Sequence, residues 1–427
     1  MPVKNTPPTS PSHIMDNLDV YEDDVEEIIE ENNINDLNPE EVEDLEYNEE
    51  DFDDEDDMST DDPARDDADL IFDNHTGSVF CCDIEPKFGQ FAVTGGEDDR
   101  AFVWDINSAN IILECKGHSD SVIGAEFSHD GTYVATGDMK GTIQVWKMST
   151  KTCVWDTNTD ELLWLKWHPA ANVLLVGTDL GDVYVYKIPS GEFKILAGHG
   201  SKSNCGVVMP DGKRLAVGYN DGTVKVFDIK MTNTLHRLQT GNPDSDACIT
   251  CMDASSDNNL IITGSLNGEA NIITTQNGKI AGTLSTVQTA SASTAAASDD
   301  DDDESREMNT IESVAFCKDS SLSLAAAGNL NGVLCIWDVS RQVARHSIKQ
   351  TSGISRLIWD RNPHFLYAGC LDSSVKLYDV RSGEIVREFL GHRRDILDIA
   401  ISRDGNKLLA TSDDKSARVF STTTVDR

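Results

Sequence analysis

The sequence lacks the features that insert a protein into a membrane or export it, and it is poor in basic residues. No apolar run approaches 18 residues, and the N-terminus Met1-Pro-Val-Lys-Asn-Thr has no hydrophobic signal segment. Lys and Arg number 35 against 75 Asp and Glu, a formal net charge of −40. Surfaces that bind nucleic acid or anionic lipid need an excess of Lys and Arg. We therefore expect no membrane span, no direct nucleic-acid binding and a basic protein as partner.

Motifs of the common enzyme classes are absent as well. The chain has no Gly-Lys-Ser/Thr phosphate loop, no Gly-x-Ser-x-Gly nucleophile turn and no His-Glu-x-x-His motif. Cys248 and Cys251 have the spacing of a metal or redox pair, but no second pair or histidine partner is nearby. The ten cysteines fall mostly in apolar stretches, which is typical of free thiols in a reducing compartment. We expect no catalytic residue, cofactor or metal, and a cytoplasmic protein, with the nucleus as an alternative location.

The negative charge is concentrated in two segments. Residues 1–70 carry 28 acidic and two basic side chains, and residues 299–307 carry seven acids and one Arg. Chains with so much charge and so little apolar surface do not fold alone. We predict a disordered acidic arm over residues 1–68 and a disordered insertion at about 285–310. In the arm, Val25, Ile28 and Ile29 would share one face of a helical turn; a docking motif there is the alternative to a purely solvated tail.

A repeating unit determines the predicted fold. Apolar strands separated by small turns recur along the chain, and each unit ends in an aromatic residue. The long gap between two of these aromatics holds one degenerate unit, Leu260 to Ile273, and the insertion, so the units number eight. A period of about 40–45 residues with four short strands is typical of a WD40 propeller blade. The closing aromatics are Trp104, Trp146, Tyr186, Phe227, Trp337, Tyr378 and Phe420, with gaps of 42, 40, 41, 110, 41 and 42 residues.

The predicted fold class is thus an all-β, eight-bladed WD40 β-propeller over residues 69–427. Gly-His dipeptides precede three of the units, and Trp104-Asp105 and Trp337-Asp338 keep the Trp-Asp signature. Before His75, the segment Asp69-Leu-Ile-Phe-Asp73 resembles the outer strand that precedes each Gly-His. We expect this strand to complete the eighth blade and close the ring, since closure removes an exposed sheet edge.

The repeat also accounts for several His-Asp pairs that might otherwise suggest catalysis. In blades of this type a Gly-His imidazole, an Asp six residues before the aromatic and the closing Trp can join one buried hydrogen-bonded set. In blade two, Lys140 occupies the position expected for the Asp. We interpret these residues as structural, with an active site in the central channel as the alternative. The predicted structural residues are His75, Asp98, Trp104, His118, Trp146, His199, Asp221, Asp372, His392 and Asp414.

One face of the propeller is the candidate binding site. The middle turn of each blade and the loops between blades share a face, and on blades one to three these segments are rich in acids. Carboxylates there could hold a basic peptide through charge-assisted hydrogen bonds. The alternative is that they are ordinary solvated loop charges. The candidate partner-binding residues are Glu97, Asp99, Asp120, Asp138, Glu161 and Asp179.

Individual segments also resemble one WD-repeat family. Ala92-Val-Thr-Gly-Gly-Glu-Asp-Asp-Arg-Ala-Phe-Val-Trp104, Phe127-Ser-His-Asp-Gly131 and Pro210-Asp-Gly-Lys-Arg214 are similar to the family of the angio-associated migratory cell protein. The resemblance covers nearly the whole chain. It implies a cytoplasmic propeller, found at the membrane periphery in some settings and linked to cell migration. The wider family includes a fungal chaperone of a basic large-subunit ribosomal protein.

Two binding functions are therefore predicted as alternatives. In the first, a monomeric protein escorts a basic ribosomal protein, and the Glu97 motif match makes that residue a client contact. In the second, the protein is a signalling scaffold in cell migration. The acidic composition favours the first, because a highly basic client needs its charge masked.

Overall fold

The computed structural model describes residues 65–241, 247–286 and 309–423. In these ranges the chain forms 32 β-strands, arranged as eight antiparallel sheets of four strands each. The eight-bladed propeller predicted from the sequence is confirmed. Nearly all of the predicted acidic arm and most of the predicted insertion lie outside the described residues. No helix in the described ranges is long and apolar enough to cross a bilayer.

Each blade is a meander in which strands adjacent in the chain pair with each other. Blade one comprises β2–β5, and blades two to seven take the following strands four at a time. The strands are β1 (Leu70–Phe72), β2 (Val79–Ile84), β3 (Phe91–Gly96), β4 (Ala101–Asp105), β5 (Ile111–Cys115), β6 (Val122–Phe127), β7 (Tyr133–Asp138), β8 (Thr142–Lys147), β9 (Thr152–Asn158), β10 (Leu162–Trp167), β11 (Val173–Thr178), β12 (Val183–Lys187), β13 (Glu192–Leu196), β14 (Ser203–Val208), β15 (Arg214–Tyr219), β16 (Thr223–Asp228), β17 (Asn233–Gln239), β18 (Ile249–Ala254), β19 (Leu260–Ser265), β20 (Glu269–Thr274), β21 (Lys279–Ser285), β22 (Ile311–Phe316), β23 (Leu324–Asn329), β24 (Val333–Asp338), β25 (Val343–Lys349), β26 (Ile354–Trp359), β27 (Phe365–Cys370), β28 (Val375–Asp379), β29 (Glu384–Phe389), β30 (Ile396–Ile401), β31 (Lys407–Ser412) and β32 (Ala417–Ser421).

The hydrophobic core lies between neighbouring blades. The second and third strands of a blade are packed on both faces, so they are continuous apolar runs rather than alternating ones. One core cluster joins Ile143 of blade two to Leu165 and Val176 of blade three. Outer strands, by contrast, are largely exposed, as in β13. Each blade is therefore stabilised by burial against both neighbours.

The ring closes as the sequence predicts. β1 pairs with β32, with Leu70 opposite Val419 and Phe72 opposite Ala417, so blade eight combines both ends of the described chain. Phe72 is fully buried and stacks on Trp104 of blade one, with ring centroids 4.7 Å apart. The strand that completes blade eight thus also packs against blade one.

A repeated backbone hydrogen bond identifies the two faces. In all eight blades the residue that follows the second strand donates its N–H to the carbonyl of the residue that precedes the first strand. Examples are Glu97 to Ser78 at 2.8 Å and Asp179 to Glu161 at 3.1 Å. The middle turns and the loops between blades therefore share one face, which we call the upper face. The other turns form the lower face.

Candidate protein-binding face

The predicted His75 set is present in blade one, with a member that the sequence analysis missed. The Nδ1 atom of His75 lies 3.0 Å from Oδ1 of Asp98, and its Nε2 lies 3.0 Å from the hydroxyl of Thr94. Trp104 donates its indole N–H to the same hydroxyl at 3.3 Å. Burial raises the pKa of Asp98, but the hydrogen bonds from His75 and Thr76 outweigh it and hold that pKa below its usual value. The set is a structural connection within the blade.

Blade two corrects one predicted site residue. Asp138 is fully buried, and its Oδ2 lies 3.3 Å from Nδ1 of His118. It also accepts the backbone N–H groups of Ser119 at 3.1 Å and Thr142 at 2.8 Å. Asp138 is the last residue of β7, so its side chain points into the blade instead of out of the turn. The prediction that Asp138 contacts a partner is wrong, because no partner can reach its side chain. Asp138 instead supplies the carboxylate that pairs with the histidine, which the repeat led us to expect at the position of Lys140.

The other predicted structural residues vary in their bonding. His199 contacts Asp221 at 2.9 Å, and His392 contacts Asp414 at 2.9 Å, as predicted. Asp372 instead accepts a hydrogen bond from Lys376 at 2.6 Å.

Trp146 is the exception among these residues. Its indole nitrogen is buried and has no hydrogen-bond partner among the described residues, so Trp146 contributes packing against the core.

On the upper face, blades eight, one and three contribute acids to the rim of the central channel. The repeated hydrogen bond described above brings two residues from every blade to this rim. Glu97 represents blade one, Glu161 and Asp179 represent blade three, and Asp395 and Asp413 represent blade eight. Blade two contributes Ser121 and Met139, and blades four to seven contribute no acid at these positions. Their rim residues are Lys202, Asn220, Cys248, Leu266, Thr310, Leu330, Gly353 and Leu371.

Five of the six predicted contact residues are accessible on the upper face. Glu97, Asp99 and Glu161 are exposed, while Asp120 and Asp179 are half-buried. Glu97 accepts the backbone N–H of Ser78 at 3.1 Å, which fixes its carboxylate near the rim. One carboxylate oxygen of Asp179 is buried and has no hydrogen-bond partner within the described residues. We call Glu97, Asp99, Asp120, Glu161 and Asp179 the acidic arc.

The mouth of the channel carries one more acid, which the sequence analysis missed. In every blade a β-bulge near the upper end of the innermost strand adds one extra residue, and all eight of these residues line the channel. Seven are uncharged, and the eighth is Glu312 in β22. The bulge residues are Phe80, Ile123, Leu163, Asn204, Thr250, Glu312, Ser355 and Leu397.

Glu312 is a partly buried carboxylate without a partner among the described residues. Its carboxylate is half-buried and makes no hydrogen bond or ion pair with the described residues. Burial raises the pKa of Glu312, because desolvation disfavours the charged form and no cation compensates. The sequence does distinguish Glu312: it is an acid at the second position of the innermost strand of its blade, where the other seven blades have neutral residues.

Deeper in the channel, the charged side chains join neighbouring blades. Asp83 accepts the backbone N–H of Phe127 at 2.9 Å, and Asp398 accepts that of Cys82 at 3.1 Å. Asp398 also pairs with Arg356 at 3.2 Å. Burial and the nearby Glu126 raise the pKa of Asp83 to about 7. The channel encloses about 710 Å³, and the carboxylates of Asp83 and Asp398 connect neighbouring blades within it.

Comparison with known proteins agrees with this architecture. The family WD domain, G-beta repeat matches residues 69–105, 109–147, 342–379 and 383–421. The human angio-associated migratory cell protein is 41% identical over 362 residues, covering 85% of this chain and 82% of the relative. This chain belongs to the angio-associated migratory cell protein family. The ribosome assembly protein SQT1 of Saccharomyces cerevisiae is 24% identical over 77% of this chain and 79% of its own length.

A solved structure shares the fold of this family member. The Chaetomium thermophilum Sqt1, crystallised with the N-terminus of the ribosomal protein L10, superposes with a TM-score of 0.73 at 23% identity. The superposition covers 84% of this chain and 100% of that one. The family assignment and the shared fold identify the protein as a WD40 protein-binding platform.

Proposed function

We propose that the protein is a non-enzymatic escort that holds a basic segment of a large-subunit ribosomal protein on its upper face. The observation that carries the proposal is the acidic arc on blades one to three of the upper face, with the unpartnered carboxylate of Glu312 across the channel mouth on blade six. A relative of the same fold was crystallised with the N-terminus of the ribosomal protein L10. A client of this kind suits the arc, since close opposite charges guide and orient association.

The geometry suggests how the client segment is held. Exposed carboxylates on the rim attract Lys and Arg side chains, and the half-buried Asp179 and Glu312 offer oxygen atoms without hydrogen-bond partners. A single Arg or Lys that reaches the channel mouth would neutralise Glu312 in a partly desolvated place, where a charge pair is stronger than in water. We propose that the rim supplies orientation and Glu312 supplies selectivity for one basic side chain.

The test is affinity purification of the tagged full chain from cytosol, with mass spectrometry of the bound proteins at low and high salt. We expect one basic ribosomal protein, released at high salt because exposed charge pairs are screened. The double variant Glu97→Lys/Glu161→Lys should lower its recovery about tenfold or more, as like charges then face the client.

A matched control has the same change of charge elsewhere. Glu384→Lys/Asp156→Lys alters two exposed acids away from the upper rim, in β29 and β9, and should leave recovery unchanged. Equal loss in both variants would show that only net charge matters and would refute the acidic arc. Recovery of kinases or membrane proteins, insensitive to either change, would support the signalling scaffold instead.

A further inference from the structure

The lower face has an open groove at the junction of blades three and four. Its apolar floor is formed by Val173 and Val185 of blade three and Ile229 of blade four. The groove has a volume of about 600 Å³ and continues the core between these blades outwards. Grooves of this size commonly accept one or two apolar side chains of a ligand.

One position in the repeat distinguishes this junction from three others. At three other junctions a ring from the outer strand covers the last turn of the next blade. The nearest ring atoms of Trp155, His236 and His346 lie 2.7–2.8 Å from where a Cβ atom would stand at Gly191, Gly278 and Gly383. These glycines leave room for the rings.

Blade three has Lys194 at the same position. It lies opposite Val185, just as Trp155 lies opposite Val145 in blade two. Its slender side chain crosses to blade four, where Nζ donates to the carbonyl of Lys230 at 2.8 Å. Because a lysine replaces a ring, the apolar floor stays uncovered.

The rim of the groove is basic on a very acidic chain. Lys187, Lys194, Lys213 and Lys230 line it and are all exposed. The acids among the lining residues are Glu192, which lies 3.5 Å from Lys187, and Asp228. Four lysines thus face two carboxylates, in a protein whose formal net charge is −40. The groove combines an apolar floor with a locally positive rim.

We propose that this groove, here called the lysine groove, docks a short segment of a partner protein in which one or two large apolar residues are flanked by Asp and Glu. The apolar residues would fill the space over Val173 and Ile229, and the acids would pair with the four lysines. The site is independent of the acidic arc, which lies on the opposite face, so a client and a second partner can bind together.

Charge complementarity favours a short acidic peptide over a lipid surface. A bilayer would also face the rest of the lower face and the strongly negative chain as a whole, and anionic lipids would be repelled. A peptide feels mainly the charges within about 8 Å at physiological salt. Only the lysine groove itself then determines its affinity.

The test uses the full chain and synthetic fluorescein-labelled heptapeptides. The first pool has Leu, Ile or Phe at the centre and Asp or Glu on both sides; the second pool has Asn and Gln in place of the acids. We expect fluorescence anisotropy to detect binding of the acidic pool and at least tenfold weaker binding of the neutral pool. Lys187→Glu/Lys213→Glu should lower the affinity for the acidic pool at least tenfold, and the control Lys151→Glu/Lys279→Glu, on other junctions, should not.

The variant Lys194→Trp tests the shape of the groove. It introduces a ring at the position that Trp155 has one blade earlier, next to Thr232 instead of a glycine, and should abolish peptide binding in a chain that still unfolds cooperatively. Undiminished binding to Lys194→Trp, or equal affinity for both pools, would overturn the proposal. A third result would also overturn the proposal: the full chain binds no peptide but binds phosphatidylserine vesicles, and these variants lose the vesicle binding. The groove would then be a lipid site. Basic-client recovery should be unaffected by any of these changes, which separates this proposal from the previous one.

Discussion

A partly buried carboxylate without a counter-ion, such as Glu312, makes binding depend on pH. Its raised pKa means that it takes up a proton at a higher pH than an ordinary Glu, which titrates near 4.3. A basic client binds the ionised form. As the pH is lowered, client affinity should therefore begin to fall at a higher pH than the exposed acids of the arc alone would produce.

The variant Glu312→Gln isolates this effect. It should bind the client more weakly at pH 7.5 and show a flatter affinity profile between pH 7.5 and 5, measured by calorimetric titration with the purified client. Glu384→Gln, an exposed acid on the lower face, provides the control and should reproduce the unmodified profile. An unchanged profile in Glu312→Gln would remove this residue from the binding site.

Asp138 illustrates a second consequence at the scale of a residue. Burial lowers the pKa of His118, so the ring is neutral at neutral pH and Asp138 accepts its N–H. Asp138→Ala leaves His118 and two backbone N–H groups without an acceptor, and should destabilise the fold by about 1–3 kcal/mol. Thermal unfolding followed by circular dichroism measures this. The exposed Asp99→Asn, at a left-handed position that Asn tolerates, should change the melting temperature little.

Residue positions in the repeat predict much of the site, but not the direction of each side chain. The five accessible members of the acidic arc were found because the turns recur in register. Asp138 was misassigned because the blade-two counterpart of Glu97 is Met139, one residue later in the chain. Asp138 is still the last residue of β7, and its side chain points into the blade. Thr94 and Glu312 were missed because their roles depend on neighbours in space.

At the scale of an element, the shortest strand, β1, closes the ring. It provides the fourth strand of blade eight and buries Phe72 between blades eight and one. A chain that starts at residue 65 should melt like the full chain, whereas one that starts at residue 76 should fail to fold cooperatively. Differential scanning fluorimetry of both truncations distinguishes these outcomes; equal stability of the shorter chain would refute closure by β1.

A point substitution with the strand intact serves as the control for truncation. Phe72→Ala keeps the backbone pairing and removes a fully buried ring, which costs about 3–5 kcal/mol. Its melting temperature should lie below that of the chain that starts at residue 65, and its unfolding should stay cooperative, unlike that of the chain that starts at residue 76.

At the scale of elements, the sequence predicts pairing better than packing. The Leu-Ile-Phe pattern before His75 was enough to place β1 in blade eight. The lysine groove could not be predicted in this way, because it arises from the contact of Lys194 with the next blade. Nothing in β13 itself shows that a ring is missing.

For the whole molecule, the two faces have opposite local charge. In our two proposals, the upper rim binds a basic segment and the lysine groove below binds an acidic one. The blades that separate them are held by buried contacts and by channel side chains such as Asp83 and Asp398. Such a platform can bring two different proteins together without changing its own shape.

Closure by β1 also has a consequence for biosynthesis. The ribosome makes β1 first and its partner β32 last, so the first strand must wait unpaired until almost the entire chain has been translated. During that delay Phe72 and the open side of blade one are available to wrong partners, including other nascent chains. The highly charged residues that precede β1 would keep neighbouring nascent chains apart by mutual repulsion. The acidic arm would therefore be most useful during synthesis, before β1 pairs with β32 and closes the ring.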